Sequence, residues 1–307
     1  MAVVEPDRFA DALRVAELVV QRDTGRNIAA IARFAAGGLG RAAASLAGAA
    51  GSVAIVTGFY ISDAVPPAAE TDGPPGAGLL AERLRAAGIP AVLVTDRRCA
   101  PVVRAVGEAA GVETLVAGDD AAAVDDLAAR LRARGVDHVV FVERAGPAAD
   151  GEVHTMRGEP ITGCTAPLHR LALAGGWRTI GIGDGGNEVG MGAVPHAIVA
   201  EAVEHGDRIH CAVACDELVV AGVSNWGAAA LGGAVGALRT PGLPLEAAAL
   251  AGRHAELLDA ALAGGAVDGT TSRPQRSVDG VGAGEHGALL TELAGALERA
   301  RRAISWR

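Results

Sequence analysis

From residue 53 onward, short apolar runs rich in β-branched residues alternate with segments of helical spacing, and this alternation restricts the fold more than any other property of the chain. Val53 to Thr57, Ala91 to Thr95, Glu113 to Val116, His138 to Val142 and Trp177 to Ile182 each read as a buried strand. Between them, Gly78 to Ala87, Pro101 to Ala110 and Ala121 to Arg134 read as helices. Such an order predicts an α/β fold, a doubly wound and mainly parallel sheet with helices on both faces, Rossmann-like in kind. Further helices are expected at Val3–Gln21, Ile28–Ala49, about 163 to Leu173, Ala193–Glu204, Asn225–Leu238, Leu245–Leu262 and 285–303, with an apolar run at Ile209–Ala221. No internal repeat or long linker divides the chain. Residues 1–307 are therefore expected to form a single domain, with 1–24 as an N-terminal helical extension.

A parallel sheet would bring one end of every strand to the same edge, where ligands bind in such folds. Four polar clusters follow strands in the same sense: Thr57-Gly58, Thr95-Asp96, Glu143-Arg144 and Gly183-Asp184. The last belongs to Gly181 to Gly192, where glycines allow positive φ and close ligand approach. Asp184, Asn187 and Glu188 there could hold a hard cation, move protons, or bond their own backbone in a tight turn. Gly185 and Gly186 offer backbone to a substrate.

Two loops add candidates. Glu70-Thr71-Asp72-Gly73-Pro74-Pro75-Gly76 is a stiff entry to a helix, holding Glu70 and Asp72 in place. Amides at that helix start are a candidate anion site. Loop 143–159 carries Glu143, Asp150, Glu152, Glu159, Arg144, Arg157 and His154, the last being the residue type best suited to proton transfer near neutral pH. Ser224-Asn225-Trp226-Gly227 opens a helix, with Ser224 as N-cap or Asn225 as a ligand contact. Val267-Asp268-Gly269 and Val278-Asp279-Gly280 read as turns without assigned chemistry.

Composition removes several functions. All 27 cationic side chains are arginine, so Schiff-base chemistry, pyridoxal phosphate and a Walker lysine are excluded. No Gly-x-Gly-x-x-Gly follows the first strand, so no nucleotide is expected. A net charge of −9 without a basic run argues against nucleic acid. The four cysteines lack disulfide or zinc spacing. The uncharged windows Ala42–Ser62 and Leu218–Leu238 are each read as two buried elements rather than membrane spans, and the acidic amino terminus is unlike a signal peptide, so a cytoplasmic location is expected.

Taken together, Thr57-Gly58-Phe59-Tyr60-Ile61, Glu70 to Gly76, Glu143-Arg144-Ala145-Gly146-Pro147, Asp150-Gly151-Glu152 with His154 to Gly158, Gly181 to Gly192, Ser224 to Gly227 and the two Val-Asp-Gly turns resemble the D-glutamate cyclase family. The resemblance is to the domain forming the carboxy-terminal half of its two-domain members, from about residue 24 onward. It implies a lyase, a hydro-lyase that converts D-glutamate to 5-oxo-D-proline with loss of water. The other half of the long members is missing from the match, so the resemblance speaks more directly to family than to reaction.

Cyclisation needs a base for the protonated amine and a means of activating the poor γ-carboxylate electrophile. The residues suggest Asp184, Asn187, Glu188 and Asp72 as ligands of a divalent cation, manganese or magnesium. His154 or Glu143 would take the amine proton, with Asp184 and Glu188 also in catalytic positions. Arg144 and Arg157 would pair with the α-carboxylate, and Thr57, Gly58, Glu70, Asp72, Gly185, Gly186 and Asn225 would line the substrate pocket. Expected partners are a small acidic amino acid and either a second copy in a homodimer or a separate partner chain. Alternatives are a non-catalytic module that binds an acidic amino acid, and a metal-dependent phosphatase-like hydrolase. The latter lacks its Asp-x-Asp strand end and lysine.

Overall fold

The computed structural model describes residues 2–4, 6–241 and 247–306. Six strands form one parallel sheet: β1 (Ser52–Thr57), β2 (Ala91–Thr95), β3 (Thr114–Val116), β4 (Val136–Val142), β5 (Arg178–Gly183) and β6 (Glu217–Val220). Their spatial order is β3-β2-β1-β4-β5-β6, all parallel. The chain winds from β1 outward through β2 and β3, then crosses back to lay β4 on the other side of β1. A crevice opens at that reversal, beyond the carboxyl ends of β1 and β4. Continuous burial from Val53 to Thr57 and from Val139 to Val142 fits strands covered on both faces, which is why they read as apolar runs rather than alternating ones.

The helices are α1 (Pro6–Val20), α2 (Ala29–Phe34), α3 (Gly38–Ala47), α4 (Pro74–Ala86), α5 (Ala100–Ala110), α6 (Ala121–Ala133), α7 (Arg170–Leu173), α8 (His196–Ala202), α9 (Gly206–Ile209), α10 (Ser224–Arg239), α11 (Ala247–Ala263) and α12 (Ala283–Ala303). One face of the sheet is covered by α1, α3, α4, α5, α10, α11 and α12, around Leu39, Leu80, Val106, Trp226, Leu231, Leu257 and Leu293. The other is covered by α2 and α6 to α9, around Ile31, Leu127, Phe141, Leu171 and Val199. Helix α1 shares the first core through Leu13, Ala16 and Val20. The two uncharged windows resolve as α3 with β1 and as β6 with α10. Among the described residues no helix is long and apolar enough to cross a membrane.

Boundaries differ from the sequence expectation where a local polar group wins. The expected helix Ile28–Ala49 is two helices, because Gly37 takes φ +80 between them. There Glu17 of α1 accepts from Gly37 N (2.9 Å) and Leu39 N (3.0 Å), capping α3 from another helix. The expected Ala193–Glu204 helix is shorter, entered at Pro195. Residues 210–216 are not strand, and β6 begins only at Glu217. Loop 58–73 contains an antiparallel ribbon, Tyr60–Ile61 against Ala68–Ala69. The expected helix start at Leu245 lies outside the described residues.

Candidate functional site

Glu143 follows β4 directly, Asp184 follows β5 directly, and Asp72 ends the loop after β1. The parallel sheet thus delivers three acids to the crevice beside the β1–β4 reversal. One carboxylate oxygen of each lies within 4.8 Å of the others, and all three residues are buried. Glu70, also buried, and Asp279, whose side chain is 3% exposed, add two more carboxylates. Arg26 ion-pairs with Asp184 and holds Asp279 at 3.0 Å. Glu143, Asp72 and Glu70 add their charge to its surroundings.

Burial and mutual repulsion shape their titration. Burial, then the charge of Asp279, pushes Asp72 up to about 7, against the amides of Asn225 and Ser224 and against Arg26. Glu143 is held well above the ordinary carboxylate range by burial, then by Glu188, Asp72 and Glu70. Glu70 and Asp184 are raised by burial in the same way, with Arg26 opposing. Burial works against the charge of Arg26, but Asp184, Asp279, Glu143 and Asp72 together hold its proton more tightly than usual.

Two helix ends position the cluster by capping one another. Asp72 accepts from Ser224 N and Asn225 N, both at 2.8 Å, at the start of α10, whose N-terminus has no side-chain cap of its own. In return Asn225 Oδ1 accepts from Gly73 N (3.0 Å) and Gly76 N (2.7 Å) at the start of α4, while its amide donates to Thr71 O. Both N-termini are satisfied by each other's loop. Gly73 is required by this arrangement: φ is +93, and a Cβ there would stand 2.7 Å from Thr57 Oγ1 and 2.8 Å from Glu143 Cβ. Ser224 Oγ donates to Glu143 Oε2 at 2.6 Å. Glu143 and Asp279 both hold positive φ, at 46° and 54°, a conformation non-glycine residues keep only when their surroundings enforce it.

A cavity of about 180 Å3 reaches the cluster, with Arg26, Glu70 and Glu143 in its wall. Phe59, Ile61 and Met156 supply apolar wall, while Asn187, Thr155, Arg157, Asp63, Gly269 and Thr270 supply polar wall. A larger, shallower depression of about 710 Å3 lies over α2 and α8, bordered by Arg33, Phe34, Ile198 and Glu201, away from the buried acids.

Several sequence candidates are placed elsewhere. Glu188 lies outside the three converging acids: its carboxylate accepts from Asp184 N, Gly185 N and Gly186 N at 2.6–2.7 Å, filling its own turn. The same bonds take up the Gly185 and Gly186 amides. Asn187 lines the cavity but donates to His154 O, outside the three-carboxylate cluster. His154 is buried, with Nε2 3.5 Å from Asp150, and does not border the cavity. Arg144 is buried as a brace, donating to Gly58 O and Ala166 O at 2.7 Å and pairing with Asp96 at 2.7 Å. Burial would raise Asp96, yet Arg144 and the Cys99 amide hold it below the usual range. Asn225 and the α4 amides are committed to capping, so that helix start is no anion site. Arg157 borders the cavity, 58% exposed and paired with Asp63 at 2.8 Å.

The sequence reading missed Arg26 and Asp279. Asp279 sat in one of the turns left without chemistry. The companion Asp268 staples that loop, accepting from Thr270 N, Thr271 N and Gly280 N.

The donor set fits a hard divalent cation. Three carboxylates converge, their excess negative charge is buried, and the nearby Thr57 hydroxyl, fully buried, has no hydrogen-bond partner. Asp72, Glu143 and Asp184 are the residues that would hold it, which retains Asp72 and Asp184 from the sequence set and replaces Asn187 and Glu188 with Glu143.

Residues 15–294 match the family model described as D-glutamate cyclase-like, C-terminal. The chain is also 38% identical over 196 residues to the human protein named D-glutamate cyclase, mitochondrial. That match takes in 59% of this chain and 32% of the human protein, so the chain spans about a third of that relative's length.

Proposed function

This chain belongs to the D-glutamate cyclase-like family, and on that premise we propose that its crevice closes D-glutamate to 5-oxo-D-proline with loss of water. The observation that carries the reading is the buried meeting of Asp72, Glu143 and Asp184 beside a small cavity that Glu143 borders. Ring closure joins the amine nitrogen to the carbon of the γ-carboxylate and expels one oxygen of that carboxylate as water. The ammonium gives up two protons and the departing oxygen gains two, so the reaction is proton-neutral overall but needs a carrier between the two sites. Glu143 suits that role: it borders the cavity, and a carboxyl held by burial well above the ordinary carboxylate range can accept a proton and return it. The Ser224 hydroxyl fixes its orientation. Asp72 is a poorer carrier, because three backbone amides occupy its oxygens.

The walls suit the rest of the substrate. Arg157 presents a planar fork at the cavity wall for the α-carboxylate. Phe59, Ile61 and Met156 exclude water from the methylenes. A divalent cation held by Asp72, Glu143 and Asp184 would supply Lewis acidity for the γ-carboxylate. A second reading is a module that binds an acidic amino acid through the same cavity wall without turning it over.

The test is incubation of the purified chain with D-glutamate and, separately, L-glutamate, with manganese or magnesium and with chelator, following the lactam by NMR. Lactam from the D form is expected. Binding without lactam would favour the second reading, and neither binding nor lactam would overturn both.

A further inference from the structure

The residue that the site's charge depends on is not one of its acids. Arg26 comes from the short connection between α1 and α2, and its guanidinium reaches Asp184 while its other contacts are to Asp279. Asp184 is also one of the three acids whose oxygens converge within 4.8 Å. A guanidinium on Asp184 and a divalent cation among Asp72, Glu143 and Asp184 would thus lie side by side in a poorly solvated space. Like charges so close repel strongly. Resting on the assignment of a cation to this cluster, we propose that Arg26 is a built-in competitor of that cation, which holds the acids together before the ion arrives and withdraws from Asp184 when it binds.

The connection is built for such an exchange. Its backbone is held independently of the guanidinium: Asp23 Oδ1 accepts from the amides of Gly25, Arg26 and Asn27, Thr24 Oγ1 donates to Gly222 O, and Asn27 donates to Ala202 O. The side chain can therefore move without unravelling the segment. It is 22% exposed and borders the cavity, so it is not enclosed on every side. Asp279 gives it a resting partner that lies outside the three converging acids. The buried Thr57 hydroxyl without a partner, close to Gly73 and Glu143, is a further oxygen that the acids and Arg26 leave unused and an ion's shell would satisfy.

The experiment is a calorimetric titration of the full chain with manganese chloride at pH 8, without substrate, for the wild type, Arg26→Gln and Arg26→Lys. Removing the competing charge in Arg26→Gln is expected to tighten manganese binding by roughly tenfold or more, the scale of one modest like-charge interaction. Arg26→Lys, which keeps the charge, is expected to stay near the wild type and controls for lost packing. If Arg26→Gln fails to fold, arginine side-chain 15N NMR of the wild type reads the same event: magnesium should shift the Arg26 resonances toward those of solvated arginines. Unchanged or weaker manganese affinity in folded Arg26→Gln, or Arg26 resonances indifferent to saturating magnesium, would overturn the proposal. So would absence of binding in every form, which would remove the cation site as well. Because no substrate is present, none of these results depends on whether the chain is a cyclase.

Discussion

Glu143 and Glu188 are both glutamates that follow strands or glycines at the same sheet edge, yet their surroundings give them opposite tasks. Glu188 accepts three backbone amides, and such charge-assisted bonds fix a carboxylate rather than free it. Glu143 accepts from one hydroxyl and borders the cavity. Glu143→Gln is therefore expected to lower lactam formation by roughly 10²- to 10⁴-fold, the usual range for a lost general acid–base, while the chain stays folded by circular dichroism. Glu188→Gln should instead weaken the fold, by about 1.5–3 kcal/mol in urea denaturation, because one buried amide at least loses its acceptor and the remaining charged hydrogen bonds become neutral ones. The difference was not legible in the sequence. Backbone amides that converge on an acid two to four residues later compete with any external ligand, and only the turn's geometry shows them winning. Arg26 was invisible for another reason: nothing near it in the chain marks it as facing Asp184 and Asp279, which only the packing of distant segments brings to it.

At the scale of elements, the reciprocal caps of α4 and α10 are what turn a loop acid into a site acid. Asn225→Ala would leave the buried Gly76 amide without its acceptor, while Gly73 N keeps Asp72 Oδ1. A cost of about 1–3 kcal/mol is expected from one orphaned donor, read as a lower urea midpoint with unchanged slope. The strands and most helices were legible, because β-branched runs and helical spacing follow directly from burial on both faces of the sheet. The break at Gly37 was not, because the cap that favours it comes from Glu17 on another helix. Nor was the fate of Ser224, which reads as its own N-cap while Asp72 supplies the cap from across the crevice.

For the whole molecule, a buried excess of carboxylates ties stability to pH. Asp72, Glu70, Glu143 and Asp184 all have folded-state values raised above their unfolded ones. The folded state then holds more protons than the unfolded one, so their contribution is full below about pH 4 and is lost as pH rises through about 7 and beyond. Asp96 and Asp268 are lowered, and their contribution is lost instead as pH falls below the ordinary carboxylate range. Thermal scans should show the melting temperature falling between pH 6 and pH 8.5, with a shallower fall in Glu143→Gln. Manganese should restore part of the loss at pH 8.5, since an ion that binds only the folded state stabilises by mass action.

The measurement that tests the central claim most directly is an NMR time course of lactam formation from D-glutamate by the wild type and by Glu143→Gln, side by side, with manganese present. Rapid 5-oxoproline formation by the wild type and a loss of at least about 10²-fold in the folded variant are expected if the buried carboxylates perform the chemistry. Equal rates in the two proteins would contradict it and place the reaction outside the crevice where Asp72, Glu143 and Asp184 meet.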